Sequence, residues 1–340
     1  MAVRPDVSTA GIRPGDLERH RRELTAHCYR MLGSGSEAED AVQETMVRAW
    51  RATDSFEGRS AVRSWLYRIA TNVCLDMLRG RQRRARPMEM GPVRTADSPI
   101  GQTLPEDAWV SPIADDRVVP DHGDPAEVAE ARDTIRLAFV AALQHLPPRQ
   151  RAVLILREVL RWQATEVAEL LDTSVASVNS ALQRARATLA NLDLVGSEFQ
   201  SPAHSKSPSS KAQVMDVEQQ ALLARYVEAF ERYDIESLVS LLRDDAVMSM
   251  PPFDFWLRGP VEMGRFFLGQ GSGCRGSRLL PTTGANGCAA FGSYKVDPAG
   301  GHQPWSLQVI EISGDRIVGH HNFLDTALFA AFGLPDHLDA

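Results

Sequence analysis

Residues 56–86 read FEGRSAVRSWLYRIATNVCLDMLRGRQRRAR, and the rest of the chain is arranged around them. From Val62 the apolar residues Val62, Leu66, Ile69, Val73 and Met77 recur every three or four positions. That spacing predicts a helix over residues 62–78 with one face against protein. Arg68, Thr71, Asn72 and Arg79 fall on the opposite face, flanked by Trp65 and Asp76, and the helix runs into Arg81, Arg83, Arg84 and Arg86. An arginine run alone is as often a solvated helix end as a binding site. Here it adjoins an aromatic ring and short polar groups. Single-stranded nucleic acid needs that combination: charge for phosphates, a ring for an unstacked base, hydrogen-bonding groups for its edge.

The same stretch resembles the promoter-melting segment of the extracytoplasmic-function (ECF) sigma factors, whose pattern FxGxSxxxxWLYRIAxNxxLDxLR…RR recurs here nearly residue for residue. The resemblance implies capture of a flipped base in the promoter element about ten bases upstream of the start. Carried over by position, Asp76 and residues 80–84 would read the base, with Arg79, Arg81, Arg83 and Arg84 supplying charge. Arg63, Trp65, Arg68 and Asn72 would line the approach.

Upstream, residues 1–15 lack periodicity and are expected to be a disordered leader. Leu24, Cys28, Met31 and Leu32 mark a helix closed by Gly33. Ser36 and Glu39 have capping-box spacing before a helix that buries Ala38, Ala41, Val42, Thr45, Met46 and Ala49. Glu39, Asp40, Gln43 and Glu44 stay outside, and Trp50 is expected in the core. The segment AEDAVQETMVRAW resembles the sigma-factor helix that docks on the clamp coiled coil of core RNA polymerase. That implies a polymerase-binding role for Asp40, Gln43 and Glu44.

Downstream, residues 89–124 are acidic and broken by Pro and Gly, a composition that cannot bury enough apolar surface to fold alone. They read as a linker; the resemblance implies that it threads the cationic RNA path of the polymerase. Asp124 and Pro125 open a second helical region, residues 125–195, in which QATEVAELLDTSVASVNSALQRARATL has helix-turn-helix form. Its exposed side offers Ser174, Ser177, Asn179, Ser180 and Gln183 for base edges, then Arg184 and Arg186 for phosphates. The LPPRQR…VNSALQRAR pattern resembles the sigma module that binds the element about thirty-five bases upstream and meets the polymerase flap. Asp172 stands in the turn where that family usually has Gly, a position Asp tolerates.

Residues 196–214 are Ser- and Pro-rich and read as a second linker. In residues 215–340, helices followed by an antiparallel run of strands point to an α+β layer fold, and their order resembles a SnoaL/NTF2-like cone. The expected architecture is therefore multidomain. A disordered leader (1–15) precedes an all-α region-2-type bundle (16–88), the acidic linker (89–124) and a region-4-type helix-turn-helix module (125–195). The second linker (196–214) and the α+β cone (215–340) complete it. His320 and His321 are neighbours on a strand, so at most one faces a pocket; Asp254 and Asp325 are the candidate acids. Surface histidine is the expectation, and no catalysis, cofactor or metal is assigned.

The net charge of −7 divides unevenly: residues 1–214 hold 28 basic and 28 acidic side chains, residues 215–340 hold 9 and 16. Overall acidity therefore does not exclude nucleic acid. Four cysteines lack metal spacing, no apolar run could span a bilayer, and the N-terminus has no signal core, which implies a cytoplasmic protein without a membrane partner. The implied function is a sigma factor that binds core RNA polymerase (clamp coiled coil and flap) and promoter DNA, as duplex and melted strand, with the last domain as an intramolecular regulator. An anti-sigma factor or a small ligand of that domain stays open. The alternatives are a helix-turn-helix repressor with a ligand-sensing domain, or an NTF2-like isomerase or cyclase with a DNA-binding appendage.

Overall fold

A computed structural model describes residues 14–53, 61–120, 124–195 and 217–339. The expected leader, residues 1–13 above all, and the linker 196–214 lie outside them. Helices α1 (Pro14–Glu18), α2 (Arg21–Leu32), α3 (Gly35–Arg51) and α4 (Val62–Met77) form the first module. Gly33 ends α2 in the left-handed region, its N–H bonding the carbonyl of Tyr29. The cap of α3 is Ser34 rather than Ser36: Ser34 is extended and its hydroxyl accepts from the Glu37 amide, so the helix is already wound at Ser36. On α4, Leu66, Val73, Ala70, Cys74 and Tyr67 are buried, with Val62, Ile69 and Met77 half-covered beside them. Thr71 departs from the sequence reading. It is fully buried because its hydroxyl pairs with His27 at 3.0 Å across the α2 interface.

The linker departs more. After α5 (Pro87–Met90), it runs over the C-terminal domain, returns to the first module through a bridge between Ala85 and Trp109, and forms α6 (Asp115–Val118). Ala96, Trp109, Val110, Ile113, Ala114, Val118 and Val119 are buried. The segment that composition marks as unable to fold alone is packed here, with other domains supplying the apolar partner surface.

The second module comprises α7 (Pro125–Asp133), α8 (Leu137–Gln144), α9 (Pro148–Leu154), α10 (Ala164–Leu170) and α11 (Val175–Val195). Asp124 caps α7 as expected, accepting from the Ala126 amide at 2.8 Å. The apolar spacing predicts one helix across residues 125–146, but it breaks at Thr134. Buried Arg30 bonds the Thr134 carbonyl (3.2 Å) and hydroxyl (2.7 Å), and Asn286 bonds the Ile135 carbonyl (2.6 Å). Those acceptors are taken by side chains from other parts of the chain. Asp172 adopts φ 49° in the turn, the left-handed geometry expected there.

The C-terminal domain holds α12 (Val217–Glu231), α13 (Ile235–Ser240), α14 (Pro260–Leu268), α15 (Leu328–Ala331) and a six-stranded sheet. The strands are β1 (Leu242–Ser249), β2 (Trp256–Arg258), β3 (Arg278–Pro281), β4 (Ala289–Val296), β5 (His302–Ser313) and β6 (Arg316–Phe323), in the order β2-β1-β6-β5-β4-β3. Only β1 and β6 pair in parallel. The expected antiparallel run is present as β3–β6; the short β2 went unread. One face of the sheet packs on α12–α14, and residues of the other, such as Leu307 and Val309, join α15 and both helical modules in one continuous core. Among the described residues, no helix is long and apolar enough to cross a membrane.

Candidate nucleic-acid and partner surfaces

On α3, Asp40, Gln43 and Glu44 are exposed on the side away from Ala41, Val42 and Thr45. Glu39 pairs with Arg117 of the linker (3.7 Å) and Glu44 with Arg48 (2.7 Å). Glu39, Asp40 and Gln43 border an open groove of about 1090 Å³ whose other wall includes Arg21, Arg22 and Arg117. Trp50 is not in the core. It is 54% exposed and lies at helical spacing from Gln43, so an aromatic ring extends the acidic stripe. Its seven-residue distance from exposed Gln43, two turns along the same face, was the available signal, and the usual burial of Trp outweighed it.

The melting set separates into three groups. Asn72 and Arg79 are exposed, and Asp76 pairs with Arg79 (3.0 Å) and Arg48 (3.7 Å). Arg63 and Trp65 are half-buried: Arg63 bonds Glu23 (2.7 Å) and lies over the Tyr67 and Trp162 rings at 5.1 and 5.7 Å. Trp65 packs on the module core. The basic loop is largely tied down. Arg81 pairs with Glu37 and Arg83 with His145. Arg84 is 6% exposed, donates to the carbonyls of Glu106 and Trp109 (both 2.8 Å) and pairs with Glu37 (2.8 Å). Arg84 therefore staples the linker to the first module and cannot meet a phosphate in this arrangement.

Arg68, at the centre of the outer α4 face, donates to the carbonyls of Glu169 and Leu170 at the end of α10. These are orphan acceptors of a helix C-terminus, a favourable place for a cation. The contact lays the second module against the first. Beyond it, Ser174, Ser177, Asn179, Ser180, Gln183 and Arg184 are exposed along α11, while Val178, Leu182 and Ala185 face inward. The Ser174 hydroxyl accepts from the Ser177 amide at 3.2 Å, and Arg186 pairs with Glu158.

The turn between β3 and β4 fastens both modules to the C-terminal domain. Asn286, fully buried at φ 55°, donates to the Tyr29 hydroxyl of α2 (2.6 Å) and the Ile135 carbonyl at the α7–α8 break (2.6 Å). Its carboxamide oxygen accepts from the Ile113 amide of the linker at 3.1 Å. Three separate parts of the chain thus meet one side chain. Beside it, Asp115 accepts from the Gly287 amide (2.8 Å); burial pushes its carboxyl up to about 6 against the pull of that amide. A Cβ at Gly284 would lie 2.9 Å from the Asp115 carboxylate, so this turn admits no side chain there.

His320 and His321 face opposite sides of the sheet, as expected, but neither is on the surface. His320 meets the Tyr226 hydroxyl at 2.8 Å among Phe230, Phe267 and Phe291, and burial pulls it down to about 3. His321 meets the Ser249 hydroxyl (2.8 Å) and Glu311 (3.7 Å). Burial would raise the Glu311 carboxyl, but His321, Arg86 and Arg136 together hold it at about 2. Asp254 is committed to Arg94 of the linker, and Asp325 caps the Ala327 amide. The described residues contain no group of three His, Cys, Asp or Glu placed to hold a metal.

Two helical modules, the second with an exposed helix-turn-helix face, define a transcription factor of the sigma-70 class. Residues 17–84 match the family model for sigma-70 region 2 and residues 136–189 that for sigma-70 region 4. The ECF RNA polymerase sigma factor SigG of Mycobacterium tuberculosis is 44% identical over 333 residues, covering 96% of this chain and 86% of the relative. SigJ of the same organism is 27% identical over 260 residues, 75% of this chain and 72% of the relative. The crystal structure of SigJ superposes with a TM-score of 0.57 at 21% identity, covering 95% of this chain and all of that one, and supports the three-part fold. The chain belongs to the ECF RNA polymerase sigma factors.

Proposed function

We propose that this sigma factor binds core RNA polymerase, brings it to promoters with two recognition elements and helps open the duplex, while its C-terminal domain holds the two helical modules closed. Asp40, Gln43 and Glu44, extended by Trp50, form the polymerase-docking face. Asn72, Asp76 and Arg79 meet the melted strand, joined by Arg68 when α10 moves away. Ser174, Ser177, Asn179, Ser180 and Gln183 read the upstream duplex, and Arg184 and Arg186 hold its phosphates. The C-terminal domain has no assigned catalytic step: His320 is neutral and its ring already engages Tyr226. The protein acts in the cytoplasm, with its polymerase and its DNA.

One observation carries the regulatory part: the Arg68 guanidinium sits on the end of α10. Two elements separated by about 25 base pairs lie roughly 85 Å apart along B-form DNA. Modules held together through Arg68 and α10 cannot occupy both. Run-off transcription with purified core polymerase tests the whole reading; a protein that neither associates with the polymerase nor yields a discrete start removes it. Truncation near residue 210 is expected to change output at limiting protein, and unchanged output across a range of concentrations removes the regulatory part.

A further inference from the structure

Residues 86–108 leave the first module and come back to it. The Ala85 amide bonds the Ala108 carbonyl (2.9 Å), and the Val110 amide bonds the Ala85 carbonyl (3.1 Å), so the intervening 23 residues form a loop with no net reach. The far end of that loop lies along the C-terminal domain, extended to Thr95 and then turning at Ala96 and Asp97, where the Ser98 amide bonds the Thr95 carbonyl (3.0 Å). The Trp256 indole donates to the Gly91 carbonyl (2.9 Å), and the Arg94 amide donates back to the Trp256 carbonyl (2.9 Å). The Arg94 guanidinium pairs with Asp254 at 3.2 Å. Ala96, 3% exposed, is gripped from both sides: its amide donates to Glu262 (2.7 Å), and its carbonyl accepts from Gln270 (2.6 Å), which also reaches the Ser98 carbonyl (3.0 Å). Asp97 pairs with Arg265, and the Leu104 amide closes the run on the Pro252 carbonyl (2.9 Å).

This is a peptide-binding site: backbone groups are read in sequence, a small side chain fills a buried seat, and flanking charges fix direction. We propose that the C-terminal domain stores residues 86–108 of the linker as a captured loop, and that releasing this loop gives the helical modules the reach to take both promoter elements at once. The inference rests on the sigma-factor reading above. With the loop held, the modules are joined only by residues 110–124. Fifteen residues span roughly 50 Å even when fully extended, short of the ~85 Å between elements. Helix α6 shortens that span further. The captured 23 residues add roughly 80 Å on release, and the requirement is then met.

Ala96→Glu in the full-length protein places a carboxylate in a buried seat already facing Glu262, while the C-terminal domain keeps its own sequence. Glu262→Ala with Gln270→Ala removes the grip from the other side. Trypsin cleavage after Arg94 reports release, and dyes at positions 51 and 191 report separation of the modules. Both variants, with circular dichroism unchanged, are expected to be cut at least tenfold faster after Arg94, to show increased dye separation, and to give more run-off transcript at limiting core polymerase. Wild-type protein on a promoter with core polymerase is expected to show the same increase in dye separation. Loop release without module separation overturns the proposal, as does unchanged dye separation in a transcribing wild-type complex. If neither variant exposes Arg94, the contacts named here do not hold the loop, and the proposal falls. A protein that frees its loop and separates its modules yet never initiates leaves the storage role standing and removes the sigma-factor reading.

Discussion

Asn286→Ala is the sharpest test of how the three parts are fastened. The carboxamide donates to Tyr29 and Ile135 and accepts from Ile113, all within a buried joint. Truncation leaves the Ile113 amide and the Ile135 carbonyl without this partner. An unmatched buried group costs about 1–3 kcal/mol, and Ala is less content than Asn at positive φ by about 1 kcal/mol. Water entering the vacated space recovers part of this, so the closed arrangement should weaken by about 2–4 kcal/mol, a factor of roughly 30 to 1000 in the opening equilibrium. Asn286→Gly separates the two contributions, since it relieves the backbone while losing the same bonds. The measurement is the distance between dyes on α4 and α11, alongside urea unfolding followed by two probes. The wild type should unfold in one transition; Asn286→Ala should separate the modules and split the transition. A variant that keeps a single transition at the wild-type midpoint and an unchanged distance refutes the view that this turn ties the modules together.

Arg84 and Arg79 should part company. Arg84→Ala removes a buried guanidinium bonded to two carbonyls and Glu37, so it should lower the midpoint of unfolding by the equivalent of about 3 kcal/mol, whereas Arg79→Ala should leave stability unchanged and weaken binding to melted promoter strand. Equal loss of stability in both would contradict this division. Asp115 has a folded pKa of about 6, above its ordinary value of 3.8, so its ionisation opposes folding above pH 6 and that opposition fades as pH falls from 6 towards 4. Asp115→Asn should therefore stabilise the protein at pH 7 by about 1–3 kcal/mol and gain little below pH 4; thermal unfolding at the two pH values decides it. On duplex DNA, Arg184→Ala should weaken binding across sequences and reduce the salt slope by about 1, while Ser177→Ala should change sequence preference, read by competition between promoter variants. Asp40→Lys should weaken association with core polymerase without affecting the midpoint of unfolding.

The helical modules were legible because their signals are local. The α4 face, the Asp124-Pro125 start and the left-handed Asp172 turn each depend on residues within a few positions of one another. Thr71 and Trp50 exchanged places relative to expectation for a non-local reason. A buried His27 gives Thr71 a partner, and among the described residues no element buries the Trp50 ring. The linker was misread for the same reason on a larger scale. Its composition correctly denies it a core of its own, but the seat for Ala96 is built by Glu262 and Gln270, more than 160 residues away. Asn286 is equally silent in sequence: a Gly-Ala-Asn-Gly run announces a turn, and nothing in it announces what the turn will enter.

The polar fastenings lie beside an apolar core shared by all three parts, and the two contribute differently to any opening of the closed arrangement. Arg30 on Thr134, Arg68 on the end of α10, Asn286 across three segments, and Glu311 among His321, Arg86 and Arg136 are all polar. Apolar surface buried at a joint stays unfavourable whenever the joint separates, and its loss scales with area. Hydrogen-bonding groups are rehydrated on exposure, so the net difference is about 1 kcal/mol for each bond, though a half-broken joint is penalised more heavily. A joint of this kind holds its geometry strictly while closed and separates as a unit. Opening also exposes the apolar core shared by the modules and the C-terminal sheet, so the partner surface must cover both contributions through its differential affinity for the open arrangement. On the proposed function Arg68 makes the exchange direct: the guanidinium that bonds the end of α10 in the closed arrangement is the one that would be freed for a phosphate, so the closed joint and the DNA complex would compete for the same charge.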